Sequence, residues 1–191
     1  MTTTTTWTWL GDHLALDLAN TVQESGGAMV DLLPDAESFA SWREAAPHPL
    51  PWCPAPGEQD LAAVRSLRDD VLALLHAAVQ GADLPEDAVS RVNGTVRESS
   101  TTRHLESVGL AVAVPAGGSP FTRLRGVLAA AAVDLLARDD LTNLALCRAP
   151  GCGQFFHRSR PNQRWCSAGC GNRARVDRHR HRRATTVLDG S

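Results

Sequence analysis

Apolar positions fall into separate periodic blocks, the clearest between Glu58 and Gly81. Leu61, Val64, Leu67, Val71, Leu74, Leu75 and Ala78 recur every three or four residues, the stripe of a helix with one buried face. Gly81 supplies its stop. A second stripe lies in "SPFTRLRGVLAAAAVDLLARDD", where Leu124, Val127, Leu128, Ala131 and Leu135 face inward, Ser119 caps and Pro120 opens the first turn. "LPDAESFASWREA" predicts a shorter helix capped by Asp35, with Phe39 and Trp42 on one side. "LPEDAVSRVNGTVRE" predicts another, with Pro85 in its first turn. In "LALDLANTV", Leu14, Leu16 and Leu18 alternate with Ala15, Asp17 and Ala19, which predicts a strand or buried segment that Gly26 and Gly27 break. "TTRHLESVGLAVAVPAGG" predicts a β-hairpin, weakened at Gly109. "APHPLPWCPAPGE" holds five prolines between Pro47 and Pro56 and predicts a surface linker, with Cys53 an incidental thiol.

The length of 191 residues suits one domain with a small appendage, or one larger domain. No apolar run approaches the ~20 residues that span a bilayer. "MTTTTTWTWLGDH" has neither the basic start nor the apolar centre of a secretory signal, so a cytoplasmic protein is expected. No nucleophile–base pair, phosphate loop or carboxylate pair occurs at a persuasive spacing. His13, His48, His76 and His104 are isolated, and a non-enzyme is expected.

Charge changes the picture. The net charge of -2 hides two opposed parts. Residues 1–146 hold nine Arg and nineteen acids, a formal -10, while residues 147–191 hold ten Arg and two acids, a formal +8. A basic tail beside an acidic body points to a polyanionic partner, or to docking of the tail on its own body.

The tail also gathers four of the five cysteines, spaced Cys147-x4-Cys152-x13-Cys166-x3-Cys170. Two close pairs across a short loop predict a closed tetrathiolate zinc site. Pro150 and Gly151 permit a tight knuckle, and "LALC" and "QFF" pair around it as a small hairpin. A helix starting at "WCSAGC" places Cys166 and Cys170 on one face. An odd cysteine count argues against a disulfide framework, and four thiolates leave no open position for catalysis. The following "GNRARVDRHRHRR" has six Arg and only Ala174 and Val176 as apolar residues, so it is solvated or bound. On a helix, Arg175, Arg178 and Arg182 share one face, and Arg173 and Arg180 lie along another. Guanidinium groups suit phosphates and guanine edges. Arg158, Arg160 and Arg164 in "HRSRPNQR" add phosphate contacts, giving a nucleic-acid surface.

"WCSAGCGNRARVDRHR", with Cys170-Gly171-Asn172-Arg173 at its centre, resembles the CGNR zinc-finger family of bacteria. "CRAPGCGQFF" resembles that family's first knuckle, and "LALDLANTV" the opening motif of the ABATE domain that precedes the finger. The resemblance implies zinc on Cys147, Cys152, Cys166 and Cys170, and a recognition or support role for Asn172, Arg173 and Arg175. It implies a DNA-binding, stress- or ligand-responsive transcription regulator. The sequence departs from the family at His157-Arg158, where an acid is common after the aromatic pair. The expected fold is α+β: a mostly helical N-terminal domain with a small β-hairpin over residues 1–141, and a small treble-clef-like zinc finger over residues 142–191. The first domain would sense a small-molecule ligand or form a homodimer. For Asp17, Asn20 and Thr21 two readings stand, ligand contact and hydrogen bonding of a turn. For the finger the alternative is a protein–protein module that docks on an acidic partner of the transcription machinery.

Overall fold

The structure, a computed structural model, describes Trp7 and residues 12–99, 101–108, 110–115 and 118–188. Helix α1 (Leu14–Ala19) leads into a hairpin of β1 (Val22–Ser25) and β2 (Ala28–Asp31), then α2 (Ala36–Ala45). The long α3 (Glu58–Gln80) and α4 (Glu86–Glu98) precede a second hairpin, β3 (Thr101–Ser107) and β4 (Leu110–Pro115). Helix α5 (Pro120–Leu136) closes the body. A short 3-10 turn (Leu141–Asn143) feeds a third hairpin, β5 (Leu144–Leu146) and β6 (Phe155–His157), and α6 (Ala168–Leu188) ends the chain.

The helical stripes pack as their periods predict. Helices α3, α4 and α5 pack together, with α1 against α3 and α5. Leu61, Val64, Val71, Leu74, Leu75, Leu124, Leu128 and Leu135 are buried. Asp35 caps α2 by accepting from Ser38 N, Ser119 caps α5 through Thr122 N, and Gly81 ends α3 in the left-handed region at φ 65°. Val127, expected to face inward, is 37% exposed. Pro85 is the cap residue of α4 and precedes its first turn. At Gly126, α5 meets the end of α4 so closely that a Cβ would overlap the Ser99 side chain.

Three local expectations are corrected. "LALDLA" is a buried segment, as one of the two readings expected, but it is a helix and not a strand; with all six residues buried, its apolar pattern carried no helical period. Gly26 and Gly27 join two strands: both have positive φ (61° and 86°), as a tight hairpin turn requires, and Val22 pairs with Asp31. The body thus has two hairpins where one was expected. The proline-rich segment has no regular structure, but it packs down: Cys53 is 2% exposed, and Leu50 leans on the core. Burial pushes the Cys53 thiol up, and Arg43 Nη1 donates to Cys53 O at 3.2 Å. The β3–β4 hairpin forms as expected, with a register shift between Leu105 and Ser107; Gly109 lies outside the described residues.

A buried guanidinium fixes the first hairpin on α3. Arg68, 4% exposed, donates to both carboxylate oxygens of Asp31 at 2.6 and 2.9 Å and approaches Thr21 Oγ1 at 3.4 Å. Arg65 Nε donates to Leu33 O at 2.8 Å. Burial opposes ionisation of Asp31, but Arg68 and the Leu33 N–H outweigh it and hold its pKa below the ordinary value.

The third hairpin has two faces. Leu144 and Phe155 enter the body's core, while Ala145 and Phe156 face a second cluster with Cys147, Ala149, Cys152 and Cys170. Alternation along two short strands lets one hairpin serve both.

Candidate metal centre and nucleic-acid interface

The four tail cysteines converge as their spacing predicts. Their Sγ atoms all lie within 4.8 Å of one another, with Cys152–Cys166 at 3.6 Å, Cys166–Cys170 at 3.4 Å and Cys170–Cys152 at 3.6 Å. A tetrahedron with Zn–S bonds of about 2.3 Å has edges of about 3.8 Å, so the donor set fits zinc. A disulfide needs about 2 Å, and all five cysteines are free thiols. Gly151 and Gly153 both take φ 64° and turn the first knuckle. Cys166 precedes α6; the helix starts at Ala168, so only Cys170 is helical, and the expected shared helical face is replaced by a turn. Ser167 makes that turn, its Oγ accepting from Cys170 N at 3.2 Å and its carbonyl from Gly171 N at 3.1 Å.

The thiols' electrostatics also call for a cation. Cys152 is held down to about 5, first by the hydrogen bond from Cys166 and against burial. Cys166 is pushed up, first by the same contact with Cys152 and then by burial. Burial pushes Cys147 up. Thiols this crowded oppose one another's ionisation; a central dication removes the conflict. Zinc on Cys147, Cys152, Cys166 and Cys170 would cross-link knuckle and helix, a bond set worth on the order of 10 kcal/mol of folding in such sites.

Each residue of the Cys-Gly-Asn-Arg stretch has a distinct local place. Cys170 is a ligand candidate. A Cβ at Gly171 would meet Trp165 Cδ1 at 3.1 Å, so Gly171 gives the indole its seat. Asn172 Oδ1 accepts from Arg175 Nη1 at 3.4 Å. Arg173 Nη2 donates to Cys170 Sγ at 2.9 Å, a charge-assisted contact outside the ligand set. Cys166 N donates to Cys147 Sγ at 3.4 Å in the same way. Arg173 thus touches a candidate ligand sulfur, while Arg175 reaches only Asn172.

The other arginines expected to meet nucleic acid lie at or near the finger's surface. Arg160, Arg164, Arg175, Arg178, Arg180 and Arg182 are exposed, and Arg158 is half-buried. Arg178 Nε donates to Ala174 O at 3.2 Å. Among the described residues, no ion pair joins Arg148, Arg158, Arg160, Arg164, Arg173, Arg175, Arg178 or Arg180 to a carboxylate of the body. The finger meets the body through other groups.

Asn20 is the main one. Its Nδ2 donates to Phe155 O at 2.9 Å, and its Oδ1 accepts from Phe155 N at 2.8 Å. One side-chain amide therefore copies a strand neighbour for β6. Thr21 Oγ1 donates to Leu18 O at 2.7 Å, and Asp17, fully buried, lies 3.5 Å from His48 Nε2. The space that Asp17, Asn20 and Thr21 help to line is about 10 Å³, the scale of a single water. His157 adds a second anchor: its ring lies 3.3 Å from an Asp140 carboxylate oxygen and 3.8 Å from one of Asp12. The His76 ring meets that of Phe155 at 4.8 Å. Sequence reasoning missed these anchors, for residue spacing gives no sign of contacts between distant segments.

This geometry defines a helical body that carries a four-cysteine finger with a basic helix. Residues 12–139 match the ABATE family, "Putative stress-induced transcription regulator", and residues 143–183 match the CGNR zinc finger. The chain belongs to the ABATE family and bears a CGNR zinc finger at its C-terminal end. No curated protein matches it. Among the described residues no helix is long and apolar enough to cross a membrane.

Proposed function

We propose that the chain is a bacterial, zinc-dependent, DNA-binding transcription regulator that acts in the cytoplasm. Its body senses a ligand or dimerises, and α6 with the loop at Arg158, Arg160 and Arg164 contacts nucleic acid. One observation carries the reading: among the described residues no ion pair joins Arg148, Arg158, Arg160, Arg164, Arg173, Arg175, Arg178 or Arg180 to a carboxylate of the acidic body, although the finger is packed against it. The charge is left for an external polyanion. An acidic protein partner is the alternative: arginine also anchors protein interfaces, but the buried cores of those interfaces are depleted of charge and rich in aromatic and apolar groups. The described outer surface of α6 offers only Val176, 43% exposed.

The test is duplex binding by the zinc-loaded protein and by its Arg175→Ala/Arg178→Ala variant, with fluorescence anisotropy as readout. Binding should fall by about tenfold or more in the variant. Equal affinities for duplex, together with capture of an acidic protein that depends on the same arginines, would transfer the finger to the protein-docking class.

A further inference from the structure

The arginines are unevenly distributed round the metal knot. Arg175, Arg178 and Arg182 follow Gly171 at intervals of three and four, so all four residues share one face of α6. Cys170, Ala174 and Asp177 lie on the adjacent inward side, and Arg173 with Arg180 beyond it. Trp165 packs against Gly171, and its ring continues the arginine face onto the body of the finger.

That continuation is a pocket of about 580 Å³ lined by Trp165, Arg148, Arg158 and Arg164, with no acidic residue among its lining. Arg158 Nε is buried there and has no hydrogen-bond partner among the described residues. A desolvated donor without an acceptor is unfavourable; Nε itself is closed off, and Arg158 lines the pocket with its other atoms, so an anionic oxygen there would meet the guanidinium's remaining N–H groups and ease the burial of its charge. A second groove of about 520 Å³, beside Arg173, has the opposite character. Glu24 and three of the thiols line it, and Arg173 is already engaged by Cys170 Sγ. Of the two grooves, only the arginine pocket attracts an anion.

Resting on the nucleic-acid reading above, we propose that this pocket is a phosphate clamp. A backbone phosphodiester seats among Arg148, Arg158 and Arg164 while the same duplex receives the Arg175, Arg178 and Arg182 face in its major groove. The dimensions agree. Gly171 to Arg182 spans about 16 Å along the helix, and the major groove is about 12 Å wide. With the C-terminal half of the arginine face in the groove, the start of α6 falls at the phosphate rim. Arg148, in the first knuckle, joins the binding surface on this ground alone.

The test compares four zinc-loaded, full-length proteins: wild type, Arg148→Gln/Arg164→Gln, Arg148→Lys/Arg164→Lys, and Arg97→Gln as a control on the exposed face of α4. Affinity for a mixed-sequence duplex is measured across a salt series. Loss of one clamped phosphate should make the plot of log affinity against log salt shallower by about 1 in the glutamine variant. Affinity at moderate salt should fall about tenfold, and the lysine variant should recover most of the slope. Steep binding by wild type with the glutamine variant indistinguishable from Arg97→Gln would overturn the clamp and leave the finger reading standing. No duplex binding by wild type would overturn both. Inorganic phosphate titrated into wild type should bind only weakly; tight binding that duplex does not displace would overturn the duplex as occupant.

Discussion

Replacing Asn20 by alanine should loosen the finger from the body. The Asn20 side chain makes two hydrogen bonds to the Phe155 backbone, at 2.8 and 2.9 Å, and Phe155 is 1% exposed. The space beside the side chain is no larger than a single water, so solvent can replace the amide only in part. Each stranded buried group costs about 1–3 kcal/mol, which sets the loss for this pair at about 3 kcal/mol after partial relaxation. For a chain of this size that corresponds to a fall in melting temperature of about 6–12 °C. Asn20→Asp retains an acceptor for Phe155 N but turns an anion toward Phe155 O, so it should be at least as damaging. The assay is thermal unfolding of the zinc-loaded variants by circular dichroism, with hydrogen exchange at the Phe155 amide as the local readout. Both variants within about 0.5 kcal/mol of wild type, with unchanged protection at Phe155, would refute the latch and return Asn20 to the ligand-contact reading.

Arg173→Ala removes the guanidinium from Cys170 Sγ and should weaken zinc binding by about tenfold or more, with Arg173→Lys intermediate; competition with a chromophoric chelator measures it, and three equal affinities would disprove a supporting role. Gly126→Ala should cost about 2 kcal/mol in denaturant unfolding despite its better helix propensity, because the new methyl overlaps the Ser99 side chain; Ser99→Gly in the same chain should recover most of the loss, and an unchanged midpoint in the single variant would contradict the close crossing. Asp140 is held down to about 2, first by its hydrogen bonds from Arg138. Its folded value lies below the ordinary 3.8, so its contribution is present above about pH 4 and lost as pH falls toward 2. The difference in melting temperature between wild type and Asp140→Asn should therefore be greatest near neutrality and close over that window; a difference that does not vary with pH would refute the assignment.

The parts legible in the sequence are those whose cause is local. The α3 and α5 stripes, the Asp35 and Ser119 caps, the Gly81 stop and the paired cysteine spacings each state their structure within a few residues. Helix α1 was not legible because it is buried on every side, so no polar face marks its period. Strands β1 and β2 were missed for the opposite reason: β1 is at most half-buried and β2 largely exposed, and without a buried face "VQES" and "AMVD" show no alternation. Asn20 meets a partner 135 residues away, and nothing in "LANTV" specifies that partner. Arg148 and Arg158 share a pocket only after the zinc knuckle has folded back. The cysteine set was therefore readable, whereas the division of arginines between metal support and an outer face required the geometry of α6 and Trp165.

The most direct test of a metal-ordered finger that presents arginine to a polyanion is the salt dependence of duplex binding with and without zinc. The zinc-loaded protein should bind with a log–log slope steeper than about -3, as four or more arginine–phosphate contacts require. Chelation should abolish that binding, and added zinc should restore it. A stripped protein that binds with the same slope, or a loaded one whose affinity ignores salt, would contradict the claim.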